Sequence, residues 1–164
     1  MSTFFIGDTH FNEPHIFEMC GWERDFDSPT QKDDFITDLW NKHVKESDTV
    51  IVIGDFGDPT YAEKLNGKKI LVMGNHDWEW EGHKNYFDYV IPYPMIYNDF
   101  FILSHEPVYV SSHGVMANIY AHVHDNPNYM NFSPRGACVS AERISWMPIK
   151  KEIVLARMKE AAAC

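Results

Sequence analysis

Three short, almost wholly apolar runs, each closed by a glycine, constrain this chain more than any other feature. Residues 3–6 end at Gly7, residues 49–53 (Thr-Val-Ile-Val-Ile) at Gly54, and residues 69–73 (Lys-Ile-Leu-Val-Met) at Gly74. Runs this short and rich in β-branched residues read as buried strands, the second as a central strand covered on both faces. Between the first two, residues 30–45 set Phe35, Ile36, Leu39, Trp40 and His43/Val44 at helical spacing. Asp33 and Asp34 fall early in that stretch, where a helix N-terminus favours acids. Residues 59–65 predict a further short helix. Strand, helix, strand, helix, strand is the pattern of an α/β domain with a mostly parallel sheet.

The second half has a different rhythm. Residues 93–97 and 100–103 flank the turn dipeptide Asn98-Asp99, which predicts a hairpin. Residues 118–121 and 138–144 read as further strands, and residues 149–162 as an amphipathic C-terminal helix carrying Ile153, Val154 and Met158. The sheet is therefore expected to be mixed, or split into two packed sheets. No internal repeat or Pro/Gly/Ser linker divides the chain, so residues 1–164 are read as a single domain.

The residues just past each predicted strand carry the chemistry. After the first comes Gly7-Asp8-Thr9-His10; after the second, Gly54-Asp55-Phe56-Gly57-Asp58; after the third, Gly74-Asn75-His76-Asp77. Ser104-His105-Glu106-Pro107 comes after the hairpin, and His122-Val123-His124 after the next strand. In open α/β sheets, ligands bind outside the carboxyl ends of the strands. Carboxylate and amide oxygens with neutral imidazoles, and no cysteine, suit manganese, iron or zinc rather than a thiolate site. A lone aspartate between two ions can bridge them through its two oxygens. Two ions roughly 3.5–4 Å apart clamp both the attacking and leaving oxygens of an in-line displacement, for which a phosphate ester is the natural substrate. Each motif alone is weak, because Gly-Asp is common turn chemistry and Asp-x-His arises often by chance. All five in order, each after its own strand, are not.

Charge and cysteine content narrow the setting. The formal net charge of −10 argues against a protein that grips long nucleic acid through its phosphates. Asp8, Asp55 and Asp58 are expected near dications, which would offset part of that charge. The balance stays acidic and fits a small or singly presented phosphate. No stretch approaches 18 apolar residues, so no membrane span is expected, and the N-terminus lacks the pattern of a signal peptide. Three cysteines, Cys20, Cys138 and Cys164, have no metal-type spacing; a reducing cytoplasm is expected, with the first two as plain core residues and the last exposed.

The five motifs together resemble the calcineurin-like metallophosphoesterase family, which carries Asp-x-His, Gly-Asp, Gly-Asn-His-Asp/Glu, a lone His and Gly-His-x-His in this order. The resemblance spans nearly the whole chain. Asp-Thr-His-Phe at residues 8–11, Gly-Asp-Phe at 54–56 and Cys-Val-Ser-Ala-Glu at 138–142 are similar to its small single-domain bacterial and phage members. It implies a four-layer αββα sandwich of two mixed β-sheets flanked by helices. It also implies two divalent ions, manganese first, with iron, zinc or nickel as alternatives. Asp8, His10 and His124 would hold one ion, Asn75, His105 and His122 the other, and Asp55 would bridge them. A metal-bridging hydroxide would attack phosphorus, His76 would bind the phosphoryl group and protonate the leaving group, and Asp77 would orient His76.

Two departures stand out. Ala121 replaces the glycine before the last histidine pair, and Asp58-Pro59 leaves no arginine where the protein-phosphatase branch has Asp-Arg-Gly. That disfavours a phosphomonoesterase and favours a phosphodiesterase. Arg24, Arg135 and His15, with Asn75 and His76, are candidates to touch substrate, weighed against a solvated surface role for each arginine. A DNA- or RNA-processing nuclease of the same family is the alternative enzyme. A non-catalytic interaction module keeping the fold is the alternative of another class.

Overall fold

The computed structural model describes residues 1–78 and 80–163, with side chains for all of these except Trp80 and residues 161–163. Cys164 lies outside the described residues. The first sheet takes strands β1 (Thr3–Ile6), β2 (Thr49–Ile53), β3 (Lys68–Val72), β4 (Tyr89–Ile91) and β9 (Ile149–Lys150), in the order β4-β3-β2-β1-β9. β1 to β4 are parallel and β9 runs antiparallel on the edge. β2 is central as expected, and Val50 to Ile53 are fully buried because both faces of the sheet are covered. The second sheet takes β5 (Met95–Tyr97), β6 (Phe101–Leu103), β7 (Ala117–Tyr120) and β8 (Gly136–Cys138) in sequence order. The first pair is the antiparallel hairpin and the other two pairs are parallel. Asn98 and Asp99 both have φ 53°, the signature of a type I′ turn, whose twist matches that of the flanking strands. The molecule thus has two mixed sheets flanked by helices.

The two sheets meet through Phe5 of β1, whose ring lies edge-on to Tyr97 and Phe101 at 6.2 Å between centroids in each case. They are tied together at one end, where Gly7 N–H donates to the Val139 carbonyl and Ala141 N–H to the Gly7 carbonyl. Helix α2 (Pro29–His43) starts at Ser28, whose hydroxyl accepts the Gln31 N–H at 3.1 Å, and Pro29 occupies its first turn. It buries Ile36 and Trp40, while Phe35 and His43 stay exposed. Asp33 and Asp34 lie past its first turn, and Asp33 is a buried partner of Lys32 rather than a dipole-facing acid. Helices α1 (Pro14–Met19) and α3 (Trp80–His83) have no counterpart in the elements expected from sequence. α1 is less than two turns long, with too little periodicity to announce itself.

Two expected elements are corrected and one is refined. Residues 138–144 are not one strand: β8 stops at Cys138, and Ala141–Ile144 forms a 3-10 turn ended by left-handed Ser145 and Trp146. Residues 59–65 form a short helix as expected, of the 3-10 type over Pro59–Lys64. At the C-terminus, Ile149–Lys150 is a strand on β1, and helix α4 begins only at Lys151 and runs to Ala163. In both corrected segments a few backbone hydrogen bonds to a distant segment outweigh local propensity. Among the described residues, no helix is long and apolar enough to cross a membrane.

Candidate metal centre

β1, β2, β3, β6 and β7 all end on the same side, and the seven residues expected to bind metal sit on the loops that leave them. Asp8, His10, Asp55, His122 and His124 all have φ between 43° and 71°, the left-handed region that costs a non-glycine residue about 1–3 kcal/mol. The surrounding hydrogen bonds hold these conformations in place. His10 N–H donates to the Asp55 carbonyl and Asp8 N–H to the Gly54 carbonyl, while the Asp8 Oδ1 accepts the His122 N–H at 3.0 Å. Gly54 itself has φ 78°, and a Cβ there would stand 2.3 Å from His105 Nδ1. Ala121 is accommodated because it faces another glycine: a Cβ on Gly7 would lie 2.5 Å from the Ala121 methyl.

Behind these loops is a buried clamp that the sequence did not disclose. Lys32 Nζ donates to the carbonyls of Thr9 and His10 at 2.7 and 2.8 Å and pairs with Asp33 at 2.9 Å. Asp33 also accepts the Asn12 N–H at 2.9 Å. A lysine this deeply buried is tolerated because each of its donors meets an oxygen.

The side chains gather into three groups able to place their ligand atoms within 4.8 Å of one another: the Asp/His donor groups Asp8/His10/His124 and Asp55/His105/His122, and a third, His10/Glu13/His76, which shares His10 with the first. Asp8 Oδ2 and His10 Nε2 are buried and have no hydrogen-bond partner, which is the state of a donor atom aimed at a cation. The other nitrogen of three imidazoles is held: His10 Nδ1 by Glu13, His124 Nδ1 by Glu142 at 2.8 Å, and His105 Nδ1 by the Ile53 carbonyl at 2.9 Å. Such contacts fix each ring's orientation and turn Nε2 inward as the nitrogen that would meet a metal once its proton is displaced. His105 Nε2 lies 3.0 Å from Asn75 Oδ1, 3.1 Å from His122 Nδ1 and 3.2 Å from Asp55 Oδ2. This oxygen- and imidazole-rich set fits divalent manganese, iron or zinc.

Electrostatics agree with that fit. Burial opposes the ionisation of Asp55, but His105, His10 and the His76 N–H outweigh it and lower its carboxyl to about 2. Burial likewise resists charge on His105, yet Asp55 and Asp8 push it up to about 9. His124 is pushed up to about 11 against its burial by Cys20, Glu142 and Asp8. A pocket that draws protons this strongly onto its imidazoles draws metal cations for the same reason. Because both folded values exceed the 6.5 of a free imidazole, their stabilisation is complete below about pH 6.5 and is lost as pH rises through them. Protein treated with chelator is therefore expected to lose Tm steadily from pH 6.5 to 9. Protein loaded with Mn²⁺ should not, because the metal binds the neutral imidazoles. Calorimetry across that interval decides it; a chelated Tm that held or rose would contradict this assignment.

Several expected roles move. Asp77 does not orient His76: it is fully buried, and its carboxylate accepts the N–H groups of Asp55, Gly74 and Phe56 at 2.7, 2.8 and 3.0 Å. It therefore holds the second and third loops together. His76 donates its N–H to Asp55 Oδ1 at 2.8 Å, its ring stands at 88° to His10, and its Nδ1 faces Glu13 at 3.9 Å. Asp58 caps the following 3-10 turn through Thr60 and accepts from Asn12, away from the donor groups. Arg135 lies at the opposite, N-terminal end of the parallel strands β7 and β8, just before β8 begins, with Nε on the Met116 carbonyl at 2.7 Å. Arg24 is exposed beside Asp125 at 3.7 Å, whereas His15 does stack on His76, with centroids 6.3 Å apart. Cys20 and Cys138 are half-buried rather than core, and Cys138 contacts Ser140.

Glu13, Lys32 and Glu142 are site residues that the motifs do not contain. Only Glu13, three residues after His10, and Glu142, at the end of the 138–142 stretch, left a trace in the sequence.

A fold of two mixed sheets whose parallel strands end in two Asp/His donor groups defines a metal-dependent phosphoesterase scaffold. The chain belongs to the calcineurin-like phosphoesterase family, whose model matches residues 1–153. Among solved structures it is similar to a protein of unknown function, AQ665, from Aquifex aeolicus, with a TM-score of 0.76 and 24% identity over 94% of this chain and 98% of that one. A weaker similarity, with a TM-score of 0.49 and 20% identity, is to the nuclease MPE of Pseudomonas putida and covers 74% of this chain and 60% of that one. No curated protein matches the chain.

Proposed function

We propose that the protein is a binuclear, manganese-preferring phosphoesterase that hydrolyses a phosphodiester or a small organic phosphate. One observation carries this reading. Asp55 Oδ2 lies 3.2 Å from His105 Nε2 and 3.7 Å from His10 Nε2, so a single oxygen belongs to both donor groups. The other oxygen, Oδ1, accepts the His76 N–H, so Asp55 would serve both ions through Oδ2 while Oδ1 holds the His76 loop. Asp8, His10 and His124 would hold the first ion, and Asn75, His105 and His122 the second. When bound, two such ions lower the pKa of water and offset charge on phosphoryl oxygens.

The protein's own part is to orient and to move a proton. His76 is only 29% exposed and stands at the mouth of the donor groups with its ring set by His10 and His15. It binds a phosphoryl oxygen or donates a proton to the leaving group. Arg143, the arginine in contact with a ligand residue, donates to the carbonyls of His124, Asn126 and Tyr129. It leaves no guanidinium fork for a dianionic monoester, which supports a diester.

Protein containing two Mn²⁺ per chain should turn over bis-p-nitrophenyl phosphate faster than p-nitrophenyl phosphate, and chelation should abolish both activities. His76→Ala should slow hydrolysis of an unactivated phenyl diester by about a hundredfold. No turnover of either ester by the two-metal protein would overturn the phosphoesterase reading. A faster monoester would overturn the diester preference alone.

A further inference from the structure

The carboxylate facing the ring of the proposed proton donor lies in neither a metal motif nor the Asn75-His76-Asp77 loop. Glu13 sits at the N-cap of α1, where an acidic side chain ordinarily caps the helix, yet its side chain makes no cap hydrogen bond. It is turned into the site instead. One oxygen, Oε2, contacts His10 Nδ1, and the other, Oε1, faces His76 Nδ1 at 3.9 Å. Glu13, His10 and His76 can bring one polar atom each within 4.8 Å of the others. The carboxylate closest in sequence to His76, Asp77, is fully occupied by three backbone N–H groups and is unavailable for this role.

We propose that Glu13 is the positioning residue for His76, holding the Nδ1 edge of its ring so that Nε2 faces the leaving group. The proposal rests on the phosphoesterase reading. Three surfaces define the ring's orientation: His10 edge-on at 5.0 Å, His15 stacked at 6.3 Å, and Glu13 at the Nδ1 edge. A separation of 3.9 Å exceeds a hydrogen bond, but catalytic hydrogen bonds are commonly long before substrate binds and tighten with it. As the oxygen of a water bonds to phosphorus, the bond from phosphorus to the leaving oxygen breaks. His76 Nε2 gives its proton to that oxygen, and the water's proton passes to solvent. A carboxylate at Nδ1 fixes which edge of the ring turns inward, so that Nε2 is the nitrogen presented to the leaving oxygen. The same carboxylate holds His10, so the proton donor and one donor group share a support.

The test separates proton donation from general damage. A p-nitrophenolate leaves without help, whereas a phenolate needs its proton. Rates are compared for methyl p-nitrophenyl phosphate and methyl phenyl phosphate at saturating Mn²⁺, since Glu13 also supports His10. Glu13→Gln keeps the volume and an acceptor but removes the charge. It should cost the phenyl ester at least about tenfold more in kcat than the p-nitrophenyl ester. His76→Ala should show the same bias, and the double variant should be no slower on the phenyl ester than His76→Ala alone. Equal slowing of both esters by Glu13→Gln, or multiplied losses in the double variant, would overturn the role of Glu13. If His76→Ala itself showed no leaving-group bias, the acid assignment would fail instead, and an inactive wild type would count against the phosphoesterase reading.

Discussion

Replacing Asp55 with asparagine is expected to lower kcat/KM by about a thousandfold, or about 4 kcal/mol of transition-state stabilisation. Metal binding should fall from two ions to at most one tightly held. The size of the effect comes from position. Asp55 Oδ2 is shared by both donor groups, while Oδ1 accepts the N–H of His76, so one side chain serves the proposed ion pair and the proposed proton donor together. Asparagine keeps an acceptor for one of these tasks but not the negative charge for the other. Neighbouring histidines hold the Asp55 carboxyl at about 2, so it is anionic throughout the working pH range and cannot be replaced by a neutral amide without loss. Metal analysis and steady-state kinetics on bis-p-nitrophenyl phosphate check this. Full activity with two bound ions would remove Asp55 from the bridging position.

Asp77→Ala tests a different kind of residue. Its expected signature is loss of stability, about 4 kcal/mol, which for a chain of this size lowers Tm by about 10 °C. Three N–H groups, those of buried Asp55 and Phe56 and of half-buried Gly74, would lose their acceptor at once, and water cannot enter readily to reach the first two. Burial and the nearby Asp55 raise the Asp77 carboxyl, and the N–H groups of Gly74 and Phe56 offset only part of that rise. Differential scanning calorimetry on the chelated protein isolates this effect from metal binding. If Tm were unchanged and only the leaving-group dependence shifted, Asp77 would be orienting His76 after all.

That contrast shows where sequence reading reaches its limit. The strands were legible because each is a short β-branched run closed by glycine; residues 49–53 and 3–6 appear in the structure without a residue's error. The hairpin was legible because Asn98-Asp99 tolerates the two positive φ values that its turn requires. Residues 138–144 misled because Cys138 and Val139 suit a strand, while the chain leaves the sheet after Val139 N–H pairs with the Tyr120 carbonyl. Arg135 misled because closeness in sequence to the His124 loop suggested closeness in space, whereas a parallel strand must return to its opposite end before it begins.

The sequence alone determined which residues gather at the candidate metal centre. Strand direction and residue type suffice for that, since parallel strands must deliver their C-terminal loops to one edge. Only the tertiary structure decided which atom of each residue faces inward, that Asp55 is shared through one oxygen, that Asp77 braces backbone, and that Glu13 and Lys32 support the site. Those assignments turn on distances near 3 Å between segments remote in the chain. Such distances are set by how loops from five strands in two sheets pack against one another, and no spacing along the sequence encodes them.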